Sequence, residues 1–82
     1  TKSLALELGP HVRVNSVAPG AILWPEHEED DIDKQDSVLS KVPMGRLGTE
    51  SDIADTAFFL AVGATYMTGQ TIAVDGGSSN SL

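Results

Sequence analysis

Apolar positions along the chain recur with two spacings, and the order in which those spacings alternate predicts the fold. In residues 1–8, Leu4 and Leu8 fall on one helical face with Ala5 beside them, and Gly9-Pro10 supplies a helix stop. No convincing cap precedes Leu4, so this helix reads as one already under way where the chain begins. Residues 12–17 are apolar and β-branched without a clean in/out alternation, the mark of a strand buried on both faces, and Pro19-Gly20 ends it. A short helix is expected over residues 32–42, closed by Pro43. Thr49-Glu50-Ser51-Asp52 reads as a capping box with Asp in the third place, and it opens the best helix of the chain. There Ile53, Ala57 and Ala61 share one face, Ala54 and Phe58 the adjoining one, and Leu60 widens the stripe until Gly63. Thr68-Gly69 is turn chemistry, residues 71–74 form a second short strand, and Asp75-Gly76-Gly77 breaks it before a Ser-rich tail.

The resulting order is helix, strand, loop with helix, helix, strand, which is an α/β arrangement with no internal repeat and no second domain. Strands joined through a helix are most often parallel neighbours with a right-handed crossover. Parallel sheets need both faces covered, and two strands with one or two good helices cannot do that. The expectation is therefore the last third of an α/β domain, incomplete on its own.

Composition narrows what such a segment binds. The 82 residues carry 12 carboxylates against 5 Lys and Arg, a formal net charge of −7, and no cysteine. The basic residues Lys2, Arg13, Lys34, Lys41 and Arg46 are scattered, so nothing here gathers the positive charge that neutralises a nucleic-acid backbone. Thiolate metal sites and disulfides are excluded, and the lack of cysteine is compatible with a reducing cytoplasm. No apolar run is long enough to span a bilayer, and no basic-then-apolar leader opens the chain, so a soluble cytoplasmic protein without membrane partners is expected. Seven carboxylates crowd positions 26–36, the profile of a solvated segment. Asp31, Asp33 and Gln35 mimic the opening of a calcium loop, but Asp36 stands where Gly is required and Val42 where the closing Glu belongs. His11 and His27 have no partner at ligand spacing, so no metal site is expected.

The abrupt exit at Pro19-Gly20 has two readings. A strand-terminating turn is the plain one. In open parallel sheets, however, ligands sit beyond the carboxyl ends of the strands, where a Gly lets main chain approach a flat ligand and a Pro holds the approach rigid.

Three blocks, "TKSLALELGPHVRVNSVAPG", "PMGRLGTESDIADTAFFLA" and "YMTGQTIAVDGG", together closely resemble the C-terminal third of the short-chain dehydrogenase/reductase family, in order and spacing. Within it, "APGAILWPE" looks most like the pteridine reductase branch. The resemblance implies a Rossmann-type doubly wound parallel sheet, of which residues 1–82 are the C-terminal part, with an acidic substrate lid at about residues 23–44. It implies that Pro19, Gly20, Ala21 and Ile22 hold the nicotinamide half of NADP(H), NAD(H) being open as well, and that Leu23 and Trp24 face the substrate. Many members carry Thr where this chain has Trp24, which a packing role would explain equally well. Arg46, Leu47 and Gly48 match the joint between lid and following helix, with Arg46 a partner for Asp52 or Asp55. Asn15 matches a hydrogen-bonding structural residue of the strand, and Asp75-Gly76-Gly77 a turn near which subunits of a homo-oligomer, dimer or tetramer, pack.

The family's glycine-rich phosphate loop, its Ser and its Tyr-x-x-x-Lys pair have no match here; Tyr66 is followed four places on by Gln70. No catalytic residue is therefore assigned within the chain. The resemblance implies part of an NADPH-dependent reductase, of pterins in the first place, with a 3-oxoacyl thioester as alternative. A second class stays open, a non-catalytic chain serving interaction or subunit packing.

Overall fold

The computed structural model describes residues 1–22 and 31–80. Helix α1 (Lys2–Leu8) leads to strand β1 (Ser16–Pro19), followed by α2 (Ile32–Leu39), α3 (Glu50–Phe58) with a π-helical turn (Phe59–Gly63), strand β2 (Thr71–Val74) and a 3-10 turn (Ser78–Asn80). β1 and β2 pair in parallel, Ser16 opposite Thr71 and Pro19 opposite Val74. The α/β, Rossmann-like order expected from the sequence is thus the observed one.

β1 runs later than the apolar pattern predicts. Val14 and Asn15 are spent on the turn before β2 instead of on the ladder. Gly69 N–H donates to Val14 O at 2.7 Å, and Val14 N–H donates to the Thr68 hydroxyl at 3.0 Å. Asn15 Nδ2 donates to Met67 O at 2.9 Å while its Oδ1 accepts from Gln70 N–H at 3.1 Å. This is the structural hydrogen-bonding role expected of Asn15. The ladder proper begins with Ser16 N–H donating to Gln70 O at 2.8 Å and ends with Gly20 N–H donating to Val74 O at 3.0 Å. Because donors alternate along a strand, the missing N–H of Pro19 falls on the open edge, where it costs the pair nothing.

Thr49 caps α3 as anticipated: its hydroxyl accepts from Asp52 N–H at 3.2 Å, and the Asp52 carboxylate accepts from Thr49 N–H at 2.7 Å. The helical run continues to Gly63, its last turn widened to π. The packed face differs from the expected one. Ile53 and Thr56 are half-buried and Leu60 is buried, whereas Ala54, Ala57, Phe58 and Ala61 are exposed. The spacing 53, 56, 60 is that of one helical face, and α3 packs against both β1 and β2. The π turn ends on Arg13, whose Nη1 donates to Leu60 O at 2.7 Å and Ala64 O at 2.8 Å and whose Nη2 donates to Ala61 O at 2.8 Å. A guanidinium there satisfies orphan carbonyls and sits at the negative end of the helix dipole.

Burial is sparse. Only Ala5, Val42, Leu60 and Ala64 are buried hydrophobic residues among those described. The radius of gyration is 15.7 Å, against about 12 Å for a compact domain of this length.

Candidate functional site at the carboxyl end of the strands

Gly20, Ala21 and Ile22 leave β1 at the carboxyl end of the parallel pair, beside Asp75, which leaves β2. Gly20 is required here first by its neighbour: a methyl at this position would come within 2.7 Å of Asp75 Cβ and 2.8 Å of Asp75 Cα. Its φ is not positive; among the described residues positive φ is confined to Gly45, Gly69, Gly76 and Gly77. Close backbone approach, not left-handed geometry, makes Gly20 a glycine.

The loop is then tied to the segment that precedes α3. Gly48 N–H donates to Ala21 O at 2.9 Å, and a methyl on Gly48 would strike Ile22 Cδ1 at 2.7 Å. The segment Arg46-Leu47-Gly48 is thus held against the loop that leaves β1. Arg46 Nη1 donates to Asp52 at 3.0 Å, which selects Asp52 of the two expected partners, and also to Leu47 O at 2.9 Å. That guanidinium bond, with the Thr49 backbone bond, holds the Asp52 carboxyl down at about 2. The Arg46 guanidinium is pushed up in turn by the same hydrogen bond.

On the far side stands the turn after β2. The Asp75 carboxylate accepts from Gly77 N–H at 2.9 Å and Ser79 N–H at 3.0 Å. Hydrogen bonds from Ser79 and then Gly77 keep its pKa below the ordinary carboxylate value. Met44 N–H donates to Gly76 O at 3.1 Å, and Gly76 and Gly77 lie against Val42 and Pro43. Ala21, Ser78 and the α2 side chains Ser37 and Val38, with Lys41 and Val42, enclose an open recess of about 270 Å³.

Of the residues expected to hold cofactor, Pro19, Gly20, Ala21 and Ile22 thus share one strand end. Leu23 and Trp24, expected at the substrate, lie outside the described residues, as do His27 and the first part of the acidic segment. Asp31, from the calcium-like spacing, is the N-cap of α2 and accepts from Lys34 N–H at 3.0 Å. Tyr66 is fully exposed on the turn at the amino ends of the strands, the opposite end from the loop at residues 19–22. Sequence reasoning missed Arg13 as the cap of the π turn and Asp75 as the brace of Gly20; a lone Arg two residues ahead of Asn15 carries no local signal of a partner 47 residues away.

The family described as enoyl-(acyl carrier protein) reductase matches residues 1–79. The chain belongs to the short-chain dehydrogenase/reductase family. It is 44% identical over 80 residues to the L-rhamnose 1-dehydrogenase (NAD(P)(+)) of Azotobacter vinelandii. It is 43% identical over 79 residues to the 3-oxoacyl-[acyl-carrier-protein] reductase FabG of Thermotoga maritima. These alignments cover 93% and 94% of this chain but 31% and 32% of the relatives, so the chain spans about a third of their length. Among solved structures, a protein from Agrobacterium tumefaciens assigned as a 2-deoxy-D-gluconate 3-dehydrogenase, with NADP bound, superposes with a TM-score of 0.82 at 37% identity. That superposition covers 98% of this chain and 34% of the other. These relatives carry the names of a rhamnose dehydrogenase, a deoxygluconate dehydrogenase and an oxoacyl reductase, and none of the three is named a pteridine reductase. Among the described residues, no helix is long and apolar enough to cross a membrane.

Proposed function

We propose that residues 1–82 form the C-terminal third of an NAD(P)-dependent oxidoreductase that interconverts a hydroxyl and a carbonyl group, with the main chain of residues 19–22 facing the nicotinamide and residues 23–44 serving as a substrate lid. The observation that carries this reading is the strand end itself: a loop with Gly20 stripped of side-chain bulk, braced by Asp75 on one side and Gly48 on the other, at the edge where parallel sheets receive ligands. A nucleotide bound there supplies hydride to a carbonyl carbon or accepts it from an alcohol. This chain's own residues present a fixed main chain to the carboxamide side, and its joint at residues 46–48 sets where the lid leaves the site. Proton transfer is assigned to side chains outside residues 1–82, since Tyr66 faces away. NADP(H) is the cofactor proposed, with NAD(H) the alternative, in keeping with the NADP-bound structure and the NAD(P)-using relative.

The substrate proposed is a sugar or a 3-oxoacyl thioester, the classes in the names of the two relatives. The pterin expectation rests on the stretch at residues 18–26 alone, and no relative named above supports it. As in the sequence reading, the full protein is proposed to be a homo-oligomer. The test is turnover by the longer protein carrying this chain, assayed with both nicotinamide nucleotides against L-rhamnose, a 3-oxoacyl thioester and dihydropterin. Nucleotide-dependent conversion of either of the first two is expected. Turnover of dihydropterin alone would return the pterin reading, and no nucleotide turnover with any carbonyl or alcohol would overturn the proposal.

A further inference from the structure

We infer that Asp75 is a positioning residue, which sets the nicotinamide-facing loop and the exit of the lid from a single turn. The inference rests on the reading of residues 19–22 proposed above. Asp75 has two jobs in one side chain and backbone. Its Cα and Cβ fill the space opposite Gly20, so the direction in which the loop leaves β1 is fixed by where Asp75 stands. Its carboxylate accepts from the amides of Gly77 and Ser79 and thereby holds the two glycines at φ +63° and +94°.

That turn shape reaches the lid. Gly76 O receives Met44 N–H, a methyl on Gly76 would lie 2.8 Å from Val42 Cγ1, and one on Gly77 would lie 3.0 Å from Pro43 Cγ. The residues that follow α2 are thus seated on the same turn that props Gly20. Ala21 and Ser78 close the recess together with Val38 and Val42, so the loop and the lid helix face each other across it. Neither the loop nor the lid exit can shift without the Asp75 turn, and a shift of the turn moves both.

The test compares Asp75→Ala and Asp75→Asn in the longer protein. Affinity is measured for NAD(P)H and for the matching fragment without nicotinamide, ADP-ribose or its 2′-phosphate, alongside KM and kcat for the carbonyl substrate. Asp75→Ala is expected to weaken NAD(P)H binding about fivefold, the factor that about 1 kcal/mol represents. It should raise KM in parallel and leave affinity for the fragment unchanged. Asp75→Asn keeps one acceptor for Gly77 N–H and should recover most of the loss. If Asp75→Ala does not fold, Asp75→Asn read alone is expected to show a smaller loss confined to the nicotinamide-bearing ligand. A role confined to stability would lower the melting temperature and leave both affinities intact, or lower both together, and either result overturns the inference. Wild-type protein that binds no nicotinamide nucleotide overturns the functional reading and this one with it; wild-type binding with unaltered variants overturns the role of Asp75 alone.

Discussion

At the scale of single residues, Arg13 and Gly20 carry more of the structure than their neighbours. Arg13 donates to three carbonyls, Leu60, Ala61 and Ala64, bonds that tie the segment before β1 to the π turn that follows α3 across 47 to 51 residues of chain. Hydrogen bonds from a charged group contribute roughly 1.5–3 kcal/mol, so Arg13→Met in the longer protein is expected to destabilise it by about 2 kcal/mol, read from chemical denaturation. Arg13→Lys should recover less than half, because an ammonium cannot reproduce the planar fork. Gly20→Ala should be costly by a different route. The added methyl meets backbone of Asp75, which cannot rotate away as a side chain could, so the strand end must shift. The expected outcome is weaker nicotinamide-nucleotide binding together with a lowered melting temperature, since loop and sheet share the contact; binding lost at an unchanged melting temperature would contradict it. That the strand ends at Pro19-Gly20 was legible in the sequence from residue type alone. What crowds Gly20 was not, because Asp75 lies 55 positions away and nothing in either local stretch names the other.

At the scale of elements, α3 shows what periodicity resolves and where it stops. The capping box at Thr49 was readable because its partners are three residues apart, and the structure closes both of its hydrogen bonds. The choice of packed face was not, because polar Thr56 is half-buried while apolar Ala54, Ala57 and Ala61 are exposed, so burial does not follow the apolar pattern along the helix. The box also predicts a pH response. Asp52 is held at about 2, below the 3.8 of an unperturbed aspartate, so its ionised form favours the folded state. That contribution is complete above the unperturbed value and disappears as the pH falls from about 4 towards 2. In the longer protein, Asp52→Asn should flatten the acid limb of stability in that window and leave the shape of the curve above it unchanged. Thr49→Ala, which removes the other half of the box, should cost about 1 kcal/mol at neutral pH by denaturant titration.

At the scale of the whole molecule, the chain has the order of an α/β sheet without the enclosure of one. It exposes 6095 Å², where a compact monomer of 8.6 kDa exposes about 4700 Å². Large apolar side chains stand in solvent: Leu6 is 86% exposed, Phe58 68%, Val62 60% and Phe59 53%. The two-stranded sheet leaves an unpaired edge on each side among the described residues, and unpaired edges recruit further strands. This openness was foreseeable from the element count, since two parallel strands cannot be covered on both faces by the helices that accompany them. An isolated polypeptide of residues 1–82 is therefore expected to self-associate and to unfold without a sharp cooperative transition, observed by sedimentation velocity and by thermal circular dichroism. Net charge of −7 opposes association most strongly at low ionic strength, so the associated fraction should rise with added salt. A monomer at high salt with a sharp melting transition would show that these elements close a core by themselves, and would favour a complete, non-catalytic chain over part of an oxidoreductase.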